Sequence, residues 1–313
     1  MPDATEVVAL EECGRSLSAV LALDPDATEI SRGPFGQAGR FLRLRPVAAI
    51  SLALLCALAL IAIAAPVVAP YNPINTSAGK AVQAPSRAHL FGTDNLGRDV
   101  FSRTVWGART SLSVGAVSVL LALALGAAVG LLSAYSGGTA DMILMRLVDI
   151  VMSLPTLILA LVIVAVLGPS VVNVIWAIAL GYWPVVARVV RSSVLSLKIQ
   201  TFIEAERTIG ATPRRIILRH IVPNVMPLTI VYAATVLGGA ILAEGGLSFL
   251  GVGTPPPQPS WGQDISGTGR TLMITAPWLV LFPALALSIT ILSVNLLADG
   301  LRDHLDPRLR SGR

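Results

Sequence analysis

Charge is scarce in this chain of 313 residues. Only 13% of them are Asp, Glu, Lys or Arg, about half the usual share of a soluble globular domain. There are two cysteines and three histidines. Cys13 lies in an acidic head and Cys56 inside an apolar run, so no disulfide framework is available and Cys56 reads as a small core residue. His89, His220 and His304 are far apart with no cysteine near them, so no metal-ligand spacing exists. No Gly-x-x-x-x-Gly-Lys-Ser/Thr loop is present. Gly79-Lys80 comes nearest, but Ala81 follows it and the glycine five residues earlier is missing. The chain therefore cannot cradle nucleotide phosphates as a P-loop protein does. Gly-x-Ser-x-Gly and His-Glu-x-x-His are absent too, and nothing marks a nucleophile–base pair. No catalytic residue and no metal or cofactor ligand is expected, and the composition excludes nucleic acid as a partner.

What is there is apolar. Hydrophobic residues make up 54% and the mean hydropathy is +0.75, which points to a bilayer as solvent. Five stretches lack any Lys, Arg, Asp or Glu: Pro46–Gly79, Thr110–Ala140, Ile150–Ala187, Ile221–Ala243 and Thr271–Ala298. A membrane-crossing helix needs roughly 20 apolar residues. The third stretch would be about 57 Å long as one helix, so it must turn back, and Gly168-Pro169-Ser170 is the place. The chain is thus expected to be an all-α membrane protein. Its six transmembrane helices fall near 47–69, 110–134, 146–167, 171–191, 225–245 and 277–298.

The charges divide unevenly. Residues 1–31 carry seven acids and one base, for −6, and the remainder carries 22 bases and 11 acids, for +11. The head has no signal-peptide pattern and reads as a loosely ordered cytoplasmic tail. Bases before the first span, after the sixth, and between the fourth and fifth fall on one side if both termini are cytoplasmic. Lys80, Arg87, Arg98, Arg103 and Arg109 then face outward, against the rule, with Asp94 and Asp99 offsetting part of that. Gly126 and Gly130 have the small-xxx-small spacing that permits close helix contact, although glycine is common in membrane helices anyway. Arg146 with Asp149, and Asp299 with Arg302, have the spacing of helix-face pairs. Glu244 sits at the outer end of the fifth span. The proline-rich Thr254–Trp261 cannot be helical.

The most informative segment runs from Lys198 to Asn224. Thr201 and Glu204 form a capping box for a helix near Phe202–Ile209. Gly210 suits the left-handed position that ends it. Thr212 caps a second helix with Pro213 in its first turn, and Pro223 marks a break before the fifth span. Phe202, Ile203, Ile209, Ile216 and Ile217 lie among many bases, with Arg214 and Arg215 in the second helix. Read from the residues alone, this body is either a docking surface for a cytoplasmic partner or an amphipathic pair lying on anionic lipid.

Glu204-Ala205-Glu206, Gly210 and Val222-Pro223 match the spacing of the EAA loop of ABC importer permeases. The family usually has alanine where Glu206 stands and isoleucine where His220 stands. Residues 91–115, 244–262 and 277–308 resemble the corresponding segments of dipeptide, oligopeptide and nickel permeases. The likeness spans about residues 32–310 and is nearest the DppC/OppC-type subunit. It implies a type I ABC importer permease fold in the cytoplasmic membrane, with di- and oligopeptides as substrate and nickel as the alternative. An ion-coupled carrier working alone would want a mid-membrane acid, and none is apparent. The resemblance also implies a second homologous permease subunit of the DppB/OppB kind. Two ABC ATPase subunits would carry ATP and Mg, and an extracytoplasmic binding protein would deliver substrate. Residues 1–31 would be the tail, 32–108 the first helix and outer loop, 109–299 the transmembrane domain with the EAA loop at 201–223, and 300–313 a basic tail.

Overall fold

The computed structural model describes residues 45–305. The acidic head and the end of the basic tail lie outside the described residues. Helix α1 covers Pro46–Ile63, and a short α2, Ala65–Val68, continues it after a break at Ala64, with Pro66 in its first turn. An irregular segment then runs to Asp99, whose carboxylate caps α3 by accepting a hydrogen bond from the Ser102 N–H at 2.8 Å. The free N–H groups of a helix's first turn require such an acceptor.

Helix α3, Val100–Ser136, is 37 residues long, about 55 Å at 1.5 Å per residue. That exceeds an apolar core of about 30 Å. Its first ten residues, which the hydrophobic pattern did not include, extend into a polar lobe. It ends at Gly137 with φ +65°. Helices α4, Gly138–Met152, and α5, Thr156–Leu167, follow. The third span expected near 146–167 is divided between them, because they meet at 85°. Pro155 lacks an N–H and pushes Leu154 out of the helical region.

The reversal at Gly168–Ser170 leads into α6, Val171–Lys198, with Ser170 as its cap. The remaining helices are α7, Thr201–Thr208, α8, Pro213–Ile216, α9, Val222–Phe249, α10, Trp261–Ile265, α11, Thr268–Thr271, and α12, Trp278–Leu305. Five helices are long and apolar enough to cross a membrane, and bent α4–α5 makes a sixth candidate span.

The core is the crossing of α3 on α6, joined by α5 and α9. Val114, Val164, Val174, Ile178, Val186 and Ala240 are buried there. Close approach depends on small residues. A Cβ at Gly126 would come 2.6 Å from the Trp183 carbonyl oxygen, and one at Gly130 would come 2.4 Å from that of Ala187. The two glycines thus seat α3 against α6 within the chain itself. Two features differ from expectation in a way that packing explains. Cys56 is exposed on α1 rather than buried, because α1 lies at the edge of the bundle with most of its surface uncovered. Asp149 bonds Arg188 of α6 at 2.6 Å instead of Arg146, because the neighbouring helix α6 packs against α4 and brings its own arginine to the carboxylate.

A second acid on α4 makes the better pair. Arg191 grips Asp141 with both Nε and Nη2 at 2.6 Å, and the Ser133 hydroxyl also donates to Asp141. A lysine cannot reproduce the two-pronged fork. Arg191→Lys is expected to lower stability by about 1–2 kcal/mol, read as a melting temperature a few degrees lower in detergent, with the fold retained.

Candidate functional site

The loop between α6 and α9 is half core and half surface. Ile203, Ile216 and Ile221 are fully buried in the main hydrophobic cluster. Phe202, Ile209 and Leu218 stand out, at 42%, 74% and 58% exposure. Glu204, Ala205, Arg207, Arg214, Arg215 and Arg219 are exposed around them. Exposed apolar side chains within a ring of charge are the pattern of a surface that meets a protein partner or a lipid headgroup layer. The anchored isoleucines fix its position relative to α6 and α9.

Gly210 ends α7 with φ +80°. The N–H of Ala211 donates to the Glu206 carbonyl, and that of Gly210 to the Arg207 carbonyl, both at 3.0 Å. This is a Schellman closure. Thr212 caps α8 through the Arg215 N–H, with Pro213 next to it. Two details correct the sequence reading. Helix α7 starts one residue earlier, with Gln200 at the cap position and no side-chain cap bond, so Thr201 and Glu204 form no capping box. Nor does Pro223 break the chain. A π-helical turn, Ile217–Ile221, leads without interruption into α9, and Val222 and Pro223 lie in its first turn. Proline lacks the N–H that would bond the carbonyl four residues back and crowds that carbonyl. The wider π turn just ahead makes the room.

The two residues that depart from the EAA pattern meet in space. Glu206 Oε1 lies 3.2 Å from His220 Nε2, and the Arg215 Nε lies 3.9 Å from Oε2. The histidine contact lacks hydrogen-bond alignment. It bridges α7 to the π turn. Sequence reasoning singled out both positions without seeing that they are partners, because 14 residues and a turn separate them.

The opposite end of the bundle is a polar lobe of residues 70–103 and 250–278. His89 Nδ1 lies 2.9 Å from buried Asp99, which also accepts from the Ser102 hydroxyl at 2.7 Å. The Arg98 Nε donates to Asp94 at 2.6 Å. Arg103 donates from Nε to Asp264 Oδ1 at 2.9 Å and from Nη1 to the Pro73 carbonyl at 3.1 Å. Trp261, fully buried, donates to the Thr104 carbonyl at 2.9 Å. Glu244 is fully buried on α9 and accepts from Ser248 at 2.8 Å. Asp264 was not visible as a functional candidate in the sequence, since its partner lies 161 positions away.

The chain is thus a helical bundle of membrane-crossing segments with an anchored loop that exposes apolar and charged side chains at one end. The chain belongs to the family of binding-protein-dependent transport system inner membrane components, whose model matches residues 95–311. Residues 33–85 match the N-terminal TM domain of oligopeptide transport permease C. It is 40% identical to the dipeptide transport system permease protein DppC of Alkalihalophilus pseudofirmus over 92% of this chain and 94% of that one. It is 43% identical to a putative peptide transport system permease of Brucella suis, over 90% and 95%. It is 41% identical to the glutathione transport system permease GsiD of Pectobacterium atrosepticum, over 87% and 90%. Among solved structures, a chain of the inward-facing MetNI methionine ABC transporter superposes with a TM-score of 0.54 at 21% identity. That match covers 65% of this chain and 97% of the other, and the shared fold is that of an ABC importer permease.

Proposed function

We propose that this chain is a permease subunit through which an ATP-driven importer passes di- and oligopeptides, with Glu204–Pro223 seated in a groove of separate ATPase subunits. The observation that carries this reading is the divided character of the loop. Its exposed Phe202, Ile209 and Leu218 offer a partner apolar contact, while Ile203, Ile216 and Ile221 tie it to the core that holds α6 and α9. A displacement imposed on the exposed half is therefore passed to both helices.

The rest of the assembly follows from this. The loop faces the cytoplasm with both termini, a second similar permease completes the pathway, and an extracytoplasmic binding protein delivers substrate to the polar lobe. ATP and Mg sit on the partner ATPases. The printed names of the relatives, dipeptide, peptide and glutathione permeases, support a peptide as cargo.

The test is co-purification with the ATPases and binding protein, followed by ATPase measurement with dipeptides, longer peptides or nickel. Peptides are expected to raise the rate severalfold above the basal value and nickel to leave it unchanged. Stimulation by nickel alone would overturn the peptide reading, and failure to recruit any ATPase would overturn the docking reading.

A further inference from the structure

A cavity of about 370 Å³ opens in the polar lobe, between residues 94–103, the segment after α9, and α10. That volume lies in the range of small-ligand pockets. Its walls carry hydrogen-bonding capacity that the protein leaves unused. Both Arg103 nitrogens that reach Asp264 converge on Oδ1, so Asp264 Oδ2 has no partner, although the side chain is only 10% exposed. Gln263 Oε1 and Thr254 Oγ1 are likewise buried and unpartnered. A buried acceptor without a donor costs about 1–3 kcal/mol; these three side chains line the cavity with their oxygens just covered, so a small side-chain rotation would bring each to a donor from outside the chain.

The opposite capacity is present as well. Arg98 spends its Nε on Asp94, and among the described residues no acceptor meets its two Nη groups. A guanidinium edge with free N–H groups receives a carboxylate. The cavity thus offers a place for a positive donor at Asp264, Gln263 and Thr254, and a place for a negative acceptor at Arg98. Water alone could fill acceptors, but it does not call for an oppositely charged counterpart in the same cavity.

We propose that this pocket binds a small zwitterion, an amino acid or the two ends of a short peptide, with the ammonium at Asp264 and the carboxylate at Arg98. The proposal rests on the peptide-import reading for its substrate class and gives the permease chain a ligand site of its own, apart from the binding protein. Burial pushes the Asp264 carboxyl above the ordinary carboxylate range despite the Arg103 guanidinium, and an arriving ammonium relieves that penalty.

The experiment uses the full chain assembled with its partner subunits in nanodiscs, with no binding protein present, and measures equilibrium binding of three probes. These are dialanine, N-acetyl-dialanine, which lacks the ammonium, and dialanine amide, which lacks the carboxylate. Dialanine is expected to bind at least tenfold more tightly than either blocked form. Arg98→Gln should weaken dialanine at least tenfold and abolish discrimination against the amide, while discrimination against the acetylated form persists. The Gln263→Leu, Thr254→Val double variant should weaken dialanine severalfold and narrow its preference over the acetylated form, which Asp264 partly sustains, while discrimination against the amide persists. Asp94 keeps the backbone N–H groups of Leu96 and Arg98 at 2.8 and 2.9 Å, so Arg98→Gln retains the local turn. Should either variant fail to fold, the three probes on the unaltered chain still decide.

Equal binding of the three probes overturns the proposal, as does an absence of saturable binding, or binding that both variants leave unchanged. Dipeptide uptake by the complete transporter reports separately on the transport reading. Uptake without pocket binding sinks the pocket alone, and pocket binding without uptake sinks the transport reading alone.

Discussion

Replacing Gly130 with leucine is expected to prevent this chain from accumulating in the membrane. The first added carbon alone would lie 2.4 Å from the Ala187 carbonyl oxygen and 3.0 Å from the Val190 Cβ. The nearest obstacle is backbone, which no change of rotamer can move aside. Helix α6 would have to separate from α3 along the main crossing of the bundle, uncovering Val186 and Val190, now at most 3% exposed. Overpacking of this kind costs about 1–3 kcal/mol even where side chains can yield, and more where a backbone must move. Alanine at Gly130 should be damaging and leucine near-complete in effect, measured as folded protein recovered by gel filtration after mild detergent extraction. Gly126→Leu should fail in the same way, since its added carbon meets the Trp183 carbonyl at 2.6 Å. Normal yield of both leucine variants would show that α3 and α6 do not cross as described.

Gly210→Val should act by another route and leave the yield intact. Nothing lies within 4 Å of a Cβ at Gly210, so space is no obstacle. The obstacle is φ +80°, a conformation that costs an L-residue about 1–2 kcal/mol and a β-branched one more. Relaxing φ breaks the two closing hydrogen bonds at the end of α7 and swings α7 relative to α8. The surface made jointly by Phe202, Ile209 and Leu218 then loses its shape while the transmembrane core keeps its own. Peptide uptake is expected to fall at least tenfold with assembly and membrane abundance unchanged. Gly210→Asn should be milder, because asparagine tolerates the left-handed region. Wild-type uptake by the valine variant would remove the loop from the coupling path.

Much of this was legible in the chain because it depends on local chemistry. Apolar run lengths placed the membrane helices, and Gly168-Pro169-Ser170 placed the reversal that falls between Leu167 and Val171. Gly210 and Thr212 announced their turn and cap through backbone preferences that act within four residues. What was not legible depends on neighbours remote in the chain. Asp149 has a spacing that suggests Arg146, but α6 supplies Arg188. Cys56 looks like a core residue until the edge position of α1 is known. Pro223 carries a break signal that is correct for an isolated helix, and the π turn ahead of it absorbs the strain instead. The polar lobe was the least visible part. Its pairings, Arg103 with Asp264 and Trp261 with Thr104, join segments about 160 positions apart, beyond any periodicity or motif.

The uninterrupted run from Pro213 to Phe249 has a mechanical meaning. It is a single beam of 37 residues, about 55 Å long at 1.5 Å per residue, with the loop after α6 at one tip and buried Glu244 near the other. Pivoted at the loop, a tilt of about 10° sweeps the far tip through about 10 Å over that length. The beam is not uniform. The π turn at Ile217–Ile221, followed by Pro223 and Pro227, departs from regular α-helical hydrogen bonding within about the first four turns, so the beam's compliance is concentrated beside the loop. A stiff shaft with a soft collar changes its angle without reshaping the loop at its base.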